Sequence, residues 1–276
     1  MPAAPVVPAV PLPADAFGRP RRSRLREKLG AAGAALVALL AKLKAVLLFL
    51  PKIKILATAG TALVSVAAYS LIWGWSFALG FVLLILLHEM GHVIALRREG
   101  IRASAPMFIP FLGAVIGARS LGDNALAEAR VGLAGPLLGS LAAGAVAIAG
   151  AAAHSDFLEA LGYTGMLLNL FNLLPVVPLD GGRAMAAMSP WMWLVGLGAL
   201  VALDFAAPNP ILLLITVFAA YEIYRRWQQR RSPAPDQVAY YRVSARNRVL
   251  VGAVYVGLIV VLALGMNAVY LHRAIP

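Results

Sequence analysis

From residue 53 onward, long apolar runs alternate with short polar breaks, and the breaks hold most of the charge. A helix needs ~20 apolar residues to cross the ~30 Å hydrocarbon core of a bilayer. By that measure the pattern predicts spans near residues 53–73, 75–96, 131–153, 163–179, 183–205, 211–224 and 249–271, the sixth being short for a full crossing. In hydrocarbon every backbone N–H and C=O must find its partner within the protein, so the spans are expected to be helical. The expected fold class is an all-α polytopic membrane protein.

Composition agrees, with 61% hydrophobic and only 13% charged residues. The formal net charge of +12 could point to nucleic acid, but its distribution argues otherwise. With the N-terminus in the cytoplasm, all of the 24 Lys and Arg except Arg273 fall on the cytoplasmic side. The basic charge therefore reads as membrane topology, with no nucleic-acid partner expected. Residues 1–18 are rich in proline and small residues and are expected to be disordered. Residues 19–52 begin RPRRSRLREK and continue into an apolar stretch, which has the outline of a signal peptide. KLK follows that stretch without a clean small-residue cleavage site, so a basic amphipathic helix on anionic lipid is the expectation, whether it lies on the membrane or crosses it. The first span follows at 53–73, and no internal repeat is evident.

One run breaks the apolar pattern. Residues 86–96 read LLHEMGHVIAL, with three ionisable groups inside a membrane-length segment. Such groups are costly there and mark function by default. His88 and His92 are four apart, which puts both imidazoles on one helix face, about 40° apart in projection. Glu89 lies about 100° round from His88, within reach of a water held between them. This is the H-E-x-x-H arrangement for zinc. Catalytic zinc takes a third protein ligand and keeps one position for water. The chain has no cysteine, which also excludes disulfides, so the third ligand must be histidine or carboxylate.

Of the twelve carboxylates, Asp180 stands out, in FNLLPVVPLDGGR. Pro175 and Pro178 prevent regular helix there, and irregular backbone at membrane depth survives only around a protein-lined cavity. His92 sits about five residues before Arg97, ~7 Å along the helix axis, and Asp180 just precedes Arg183. Topology assigned from Lys and Arg alone thus brings His88, His92 and Asp180 to one cytoplasmic depth. The plainer readings are histidines as helix–helix hydrogen-bond partners and Asp180 as a helix cap beside Arg183. His154 and His272 lie at outer span ends and read as solvated or interfacial.

Together, HEMGH and NLLPVVPLDGGR resemble the site-2 protease family of zinc intramembrane proteases. The resemblance covers about 75–183, the expected catalytic core of three helices. It implies one zinc per chain on His88, His92 and Asp180, with Glu89 as the catalytic residue that activates water. It also implies a substrate-handling role for Asn172, and it matches Pro178 to the proline before the family's LD pair. Gly135 and Gly139 fit a loose Gly-x-x-x-small motif on the middle core helix. Residues 108–117, FIPFLGAVIG, lie between cytoplasmic charges and are too short to span, so they must dip into the membrane and return. The family has a β-hairpin in this position, which makes Phe108 and Gly113 candidate substrate contacts by strand addition. Beyond the core, two further helices are expected in 184–231, then a cytoplasmic linker and a last helix in 232–276. No soluble stretch is long enough for a PDZ-like or CBS-type domain.

The function implied is a zinc-dependent intramembrane endopeptidase. It would cut single-span membrane proteins near the cytoplasmic face of a bacterial inner membrane, in regulated proteolysis. The rival readings are a metal carrier using the same ligands and an inactive family member acting as a scaffold. Glu89 separates them, because metal transit has no use for a base and hydrolysis needs one.

Overall fold

The computed structural model describes residues 56–111, 113–118, 122–189, 191–231 and 235–274. The expected segments 1–18 and 19–52 lie outside the described residues. The protein is an all-α, multi-pass membrane protein with a single small hairpin among the described residues. Helix α1 (Leu56–Trp73) is joined to α2 (Trp75–Arg98) through one residue, Gly74, whose φ of 78° suits a residue without Cβ. A hairpin follows, β1 (Met107–Ile109) against β2 (Gly113–Val115), antiparallel with Phe108 opposite Ala114.

Then come α3 (Ala125–Ala153), α4 (Asp156–Asn172), α5 (Asp180–Met188), α6 (Met192–Ala206), α7 (Pro210–Arg231), α8 (Pro235–Tyr240) and α9 (Ala245–Ala274). Helices α1, α2, α3 and α9 are long and apolar enough to cross a membrane. The other expected spans differ. Helix α4 starts earlier than expected, capped by Ser155 Oγ on the Leu158 N–H at 3.4 Å, and stops at Asn172 ahead of the prolines. The expected span 183–205 is two helices. Ser189, which precedes Pro190, is extended (φ −155°, ψ 129°), because the proline ring disfavours helical backbone in the residue before it.

Helix α3 is the centre of the fold, lying along both α2 and α4 and touching α5 and α9. Its buried positions Gly132, Gly135, Gly139, Ala143, Ala147 and Gly150 recur at helical spacing and are all small. Small residues let helix axes approach closely where lipid gives no hydrophobic drive to associate. Asn124 caps this helix, its side chain accepting from the Ala127 N–H at 2.9 Å, a contact worth ~1 kcal/mol.

Ion pairs gather one set of helix ends. Arg130 meets Glu99 at 3.3 Å, and Arg226 meets the buried Glu128 at 3.1 Å. The Tyr240 hydroxyl of α8 donates to the same Glu128 at 2.6 Å. Burial, reinforced by that carboxylate, pushes the Tyr240 phenol well above its ordinary range, so it stays a donor.

Candidate metal centre

Helix α2 turns His88, Glu89 and His92 inward, at 3%, 9% and 5% exposure. Asp180 arrives from another direction as the first residue of α5. The irregular segment before it, Leu173 to Leu179, folds back over the start of α5. A Cβ on Gly181 or Gly182 would collide with the backbone of Leu173 or Val176, so only glycine fits this close approach. One side chain pins the segment and another the start of α5: Tyr255 of α9 donates to the Leu173 carbonyl at 2.6 Å, and the Trp193 indole donates to the Gly182 carbonyl at 2.8 Å.

These elements bring three ligand atoms together. Asp180 Oδ2 lies 3.0 Å from His88 Nε2 and 3.2 Å from His92 Nε2, and the two Nε2 atoms are 3.2 Å apart. A tetrahedral ion with bonds of ~2.0–2.1 Å keeps its ligand atoms ~3.3 Å apart, so the triangle has the right size. The outer hydrogen bonds say more. Asn169 Nδ2 donates to the Gly165 carbonyl at 2.7 Å, which turns Asn169 Oδ1 towards His88 Nδ1 at 2.8 Å. His92 Nδ1 lies 2.8 Å from the Val131 carbonyl. Both Nδ1 atoms face acceptors and so must carry the hydrogen, which leaves a lone pair on each neutral Nε2. Two imidazole lone pairs and a carboxylate then converge on one point. A single proton can bridge one edge of that triangle; a divalent cation serves all three. His88, His92 and Asp180 could therefore hold a metal ion, and their donor chemistry suits zinc.

Helix α3 makes the room. A Cβ on Gly135 would fall inside the His92 ring, and one on Gly139 would fall on the Asn169 amide. Pro136, next to Gly135, lacks an N–H and so interrupts the helix ladder beside the Val131 carbonyl that His92 uses.

A cavity of about 530 Å³ opens from this triangle. Its polar wall includes Glu89, Asn172 and Arg183, and its apolar wall includes Phe81, Ile85, Leu168 and Phe171. Residues Gly113 to Ile116, on and after β2, form another side. The outer edge of β1 is occupied by α1: Thr58 donates to the Pro106 carbonyl at 2.7 Å, Thr61 Oγ1 accepts from Phe108 N–H at 3.2 Å, and Tyr69 OH accepts from Phe111 N–H at 3.1 Å. Among the described residues, the sheet has only β1 and β2, so the far edge of β2 pairs with no strand.

Residues 76–155 and 147–193 match the family model of peptidase family M50, the site-2 protease family. Over this core the chain is similar to peptidase family M50. The match runs from the start of α2 to the start of α6 and so includes every residue of the triangle. The chain is 31% identical over 134 residues to a zinc metalloprotease of Methanocaldococcus jannaschii, covering 45% of this chain and 37% of that protein. It is 30% identical over 144 residues to Rip3 of Mycobacterium tuberculosis, provisionally named a zinc metalloprotease, covering 47% of this chain and 35% of Rip3. The chain thus spans little more than a third of the length of these relatives.

Of the residues expected from the sequence, His88, His92 and Asp180 come together, and Glu89, Asn172, Pro178 and Gly113 line the same cavity. Phe108 does not. Its side chain is 4% exposed and packs with Val66, Tyr69, Phe81 and Leu161 between α1, α2 and α4. Strand alternation is the reason: Phe108 faces the bundle, and its strand edge is already taken by α1. His154 is exposed and ends α3 in a left-handed conformation, away from the site.

Asn169 is the residue missed. It is 1% exposed and holds His88, whereas the expected asparagine, Asn172, sits one turn later on the cavity wall. An amide inside the apolar run of α4 was its one visible signal.

Proposed function

We propose that this protein is a zinc-dependent metalloendopeptidase that cuts single-span membrane proteins within the bilayer, near its cytoplasmic face. The observation that carries the reading is the convergence of two imidazole lone pairs and a carboxylate at the head of a cavity also lined by Glu89. The match to the peptidase family M50 model and the names of the relatives support zinc and proteolysis. The Lys and Arg distribution supports the cytoplasmic face, since Arg97 and Arg98 end the helix that bears both histidines.

In this reading His88, His92 and Asp180 bind the zinc. When bound, zinc supplies a Lewis acid for the scissile carbonyl and lowers the pKa of water beside it. The Asn169 amide and the Val131 carbonyl keep both imidazoles in the tautomer that leaves Nε2 free. Glu89 accepts the water's proton as oxygen adds to the carbonyl carbon, then returns it to the amine as the C–N bond breaks. Asn172, from the cavity wall, hydrogen-bonds the substrate. The substrate enters unwound and lies as an added strand along β2, past Gly113, because β1 is already held by Thr58, Thr61 and Tyr69.

Glu89→Gln tests the reading. The amide keeps the shape but accepts no proton, so the purified variant should retain about one zinc and lose ~10²–10⁴-fold or more in cleavage of a single-span reporter. Cleavage at the wild-type rate would sink the mechanism. Zinc movement across vesicles without cleavage, in either protein, would mean a carrier instead.

A further inference from the structure

Arg183 has an unusual position. It is the one Lys or Arg among the described residues that line the metal-site cavity. Its side chain is 26% exposed, and Nη1 lies 3.6 Å from Asp180 Oδ1, the carboxylate oxygen turned away from the histidines. That separation is an ion pair but too long for a hydrogen bond. Among the described residues the guanidinium makes no hydrogen bond at all, although it carries five N–H donors. Three other arginines near this end of the bundle donate to carboxylates: Arg226 to Glu222 and Glu128, Arg225 to Glu222, and Arg130 to Glu99, whereas Arg97, Arg98 and Arg102 are exposed. The base of the side chain is fixed, because Gly132 of α3 leaves just enough space for the Arg183 Cβ.

A guanidinium that faces a cavity, with its N–H donors not taken by protein among the described residues, can give them to a molecule that enters that cavity. A partner that reaches it from the cavity must be an acceptor, and an anionic one by preference. The proposed hydrolysis creates such a group. As water oxygen bonds to the scissile carbon, the carbonyl oxygen gains negative charge. When the C–N bond breaks and Glu89 passes the proton to the amine, that oxygen becomes one of the two in the new carboxyl group, whose remaining proton passes to the free amine or to water to leave a carboxylate.

We propose that Arg183 is a further catalytic residue, whose guanidinium binds the scissile carbonyl oxygen as it becomes anionic and holds the C-terminal carboxylate of the first product. The assignment rests on the proteolytic reading above. It also accounts for the charge balance of the site. Asp180 shares one oxygen with both imidazoles and holds Arg183 in place with the other, so metal ligand and anion site are built on one carboxylate.

The test uses the full zinc-loaded chain in detergent, with Arg183→Gln, Arg183→Lys and, as a control, the exposed Arg130→Gln. Three quantities are measured: zinc content, kcat and KM on a single-span reporter, and inhibition by acetyl-Ala-Ala-Leu as the free acid and as the C-terminal amide. Wild type and Arg130→Gln should prefer the acid over the amide by about tenfold or more. Arg183→Gln should keep its zinc, lose that preference and fall in kcat more than it rises in KM. Arg183→Lys should recover part of both, since a lysine keeps the charge without the fork. An unchanged acid-to-amide ratio in Arg183→Gln overturns the assignment. So does loss of zinc in both Arg183 variants, which would make the arginine a positioning residue for Asp180. Failure of the wild type to cleave any reporter, with zinc bound, removes the proteolytic reading itself, whereas equal cleavage by wild type and Arg183→Gln removes this inference alone.

Discussion

Helices α2 and α9 are each apolar and long enough to cross a bilayer, yet they do opposite work. In its most apolar stretch α2 is 56% buried inside the protein, whereas α9 is 22% buried. Helix α9 presents Val249, Leu250, Val261 and Leu264 outward and touches the core mainly through Val251, Tyr255, Leu258 and Leu262. Helix α2 sits so close to α3 that a Cβ on Gly91 would strike the Ala134 backbone. The difference teaches that apolar length identifies a membrane helix without saying whether lipid or protein surrounds it. On α2 the answer comes from what interrupts the apolar pattern: three ionisable groups that lipid would not tolerate, and a glycine that lets a neighbour approach.

The comparison predicts that damage should scale with proximity to the triangle and not with hydrophobicity. The largest effect is expected from Asp180→Ala, which removes one of three ligand atoms. Zinc should fall from about one per chain to near zero, with loss of all measurable cleavage. Metal analysis after dialysis decides it, and full occupancy in this variant would mean another group completes the site.

Next is Gly135→Ala, a change of one methyl group in an apolar helix. Because that methyl would occupy the His92 ring position, zinc affinity should drop ~100-fold or so while the protein still inserts and purifies. Titration against a competing chelator measures this, and unchanged affinity would show that α3 can shift aside.

Asn169→Leu should cost less, ~10-fold in zinc affinity, because it frees the tautomer of His88 without removing a ligand. Restoration by Asn169→Gln would require the longer amide to reach Nδ1, so Leu and Gln should fall on the same side of wild type. A Leu variant with full affinity would break the argument that the outer hydrogen bond sets the lone pair.

The smallest effect belongs to α9. Leu264 is 64% exposed, and Leu264→Ala should change zinc affinity and cleavage by less than about twofold. A large loss there would mean that α9 meets protein and not lipid along that face.

Several properties were legible in the amino-acid order because they rest on local physics. The bilayer thickness and the helical rise make long apolar runs into spans, and 3.6 residues per turn put His88 and His92 on one face. Pro175 and Pro178 made the chain irregular before Asp180 wherever that segment lay, because a ring cannot donate. The boundaries were less legible, since caps such as Ser155 and the break at Ser189 are decided by one or two residues inside longer apolar runs. What only the tertiary structure decided is how each helix is rotated about its axis and how closely its neighbour approaches. That rotation set Asn169 against His88 and Asn172 on the cavity wall, sent Phe108 into the bundle and not the cavity, and turned two glycines of α3 into the space filled by His92 and Asn169. It also left Arg183 ion-paired with Asp180 Oδ1 at 3.6 Å but without a hydrogen bond among the described residues. Such outcomes depend on pairs of residues distant in the chain, and side-chain packing between helices sets them only when the whole bundle has closed.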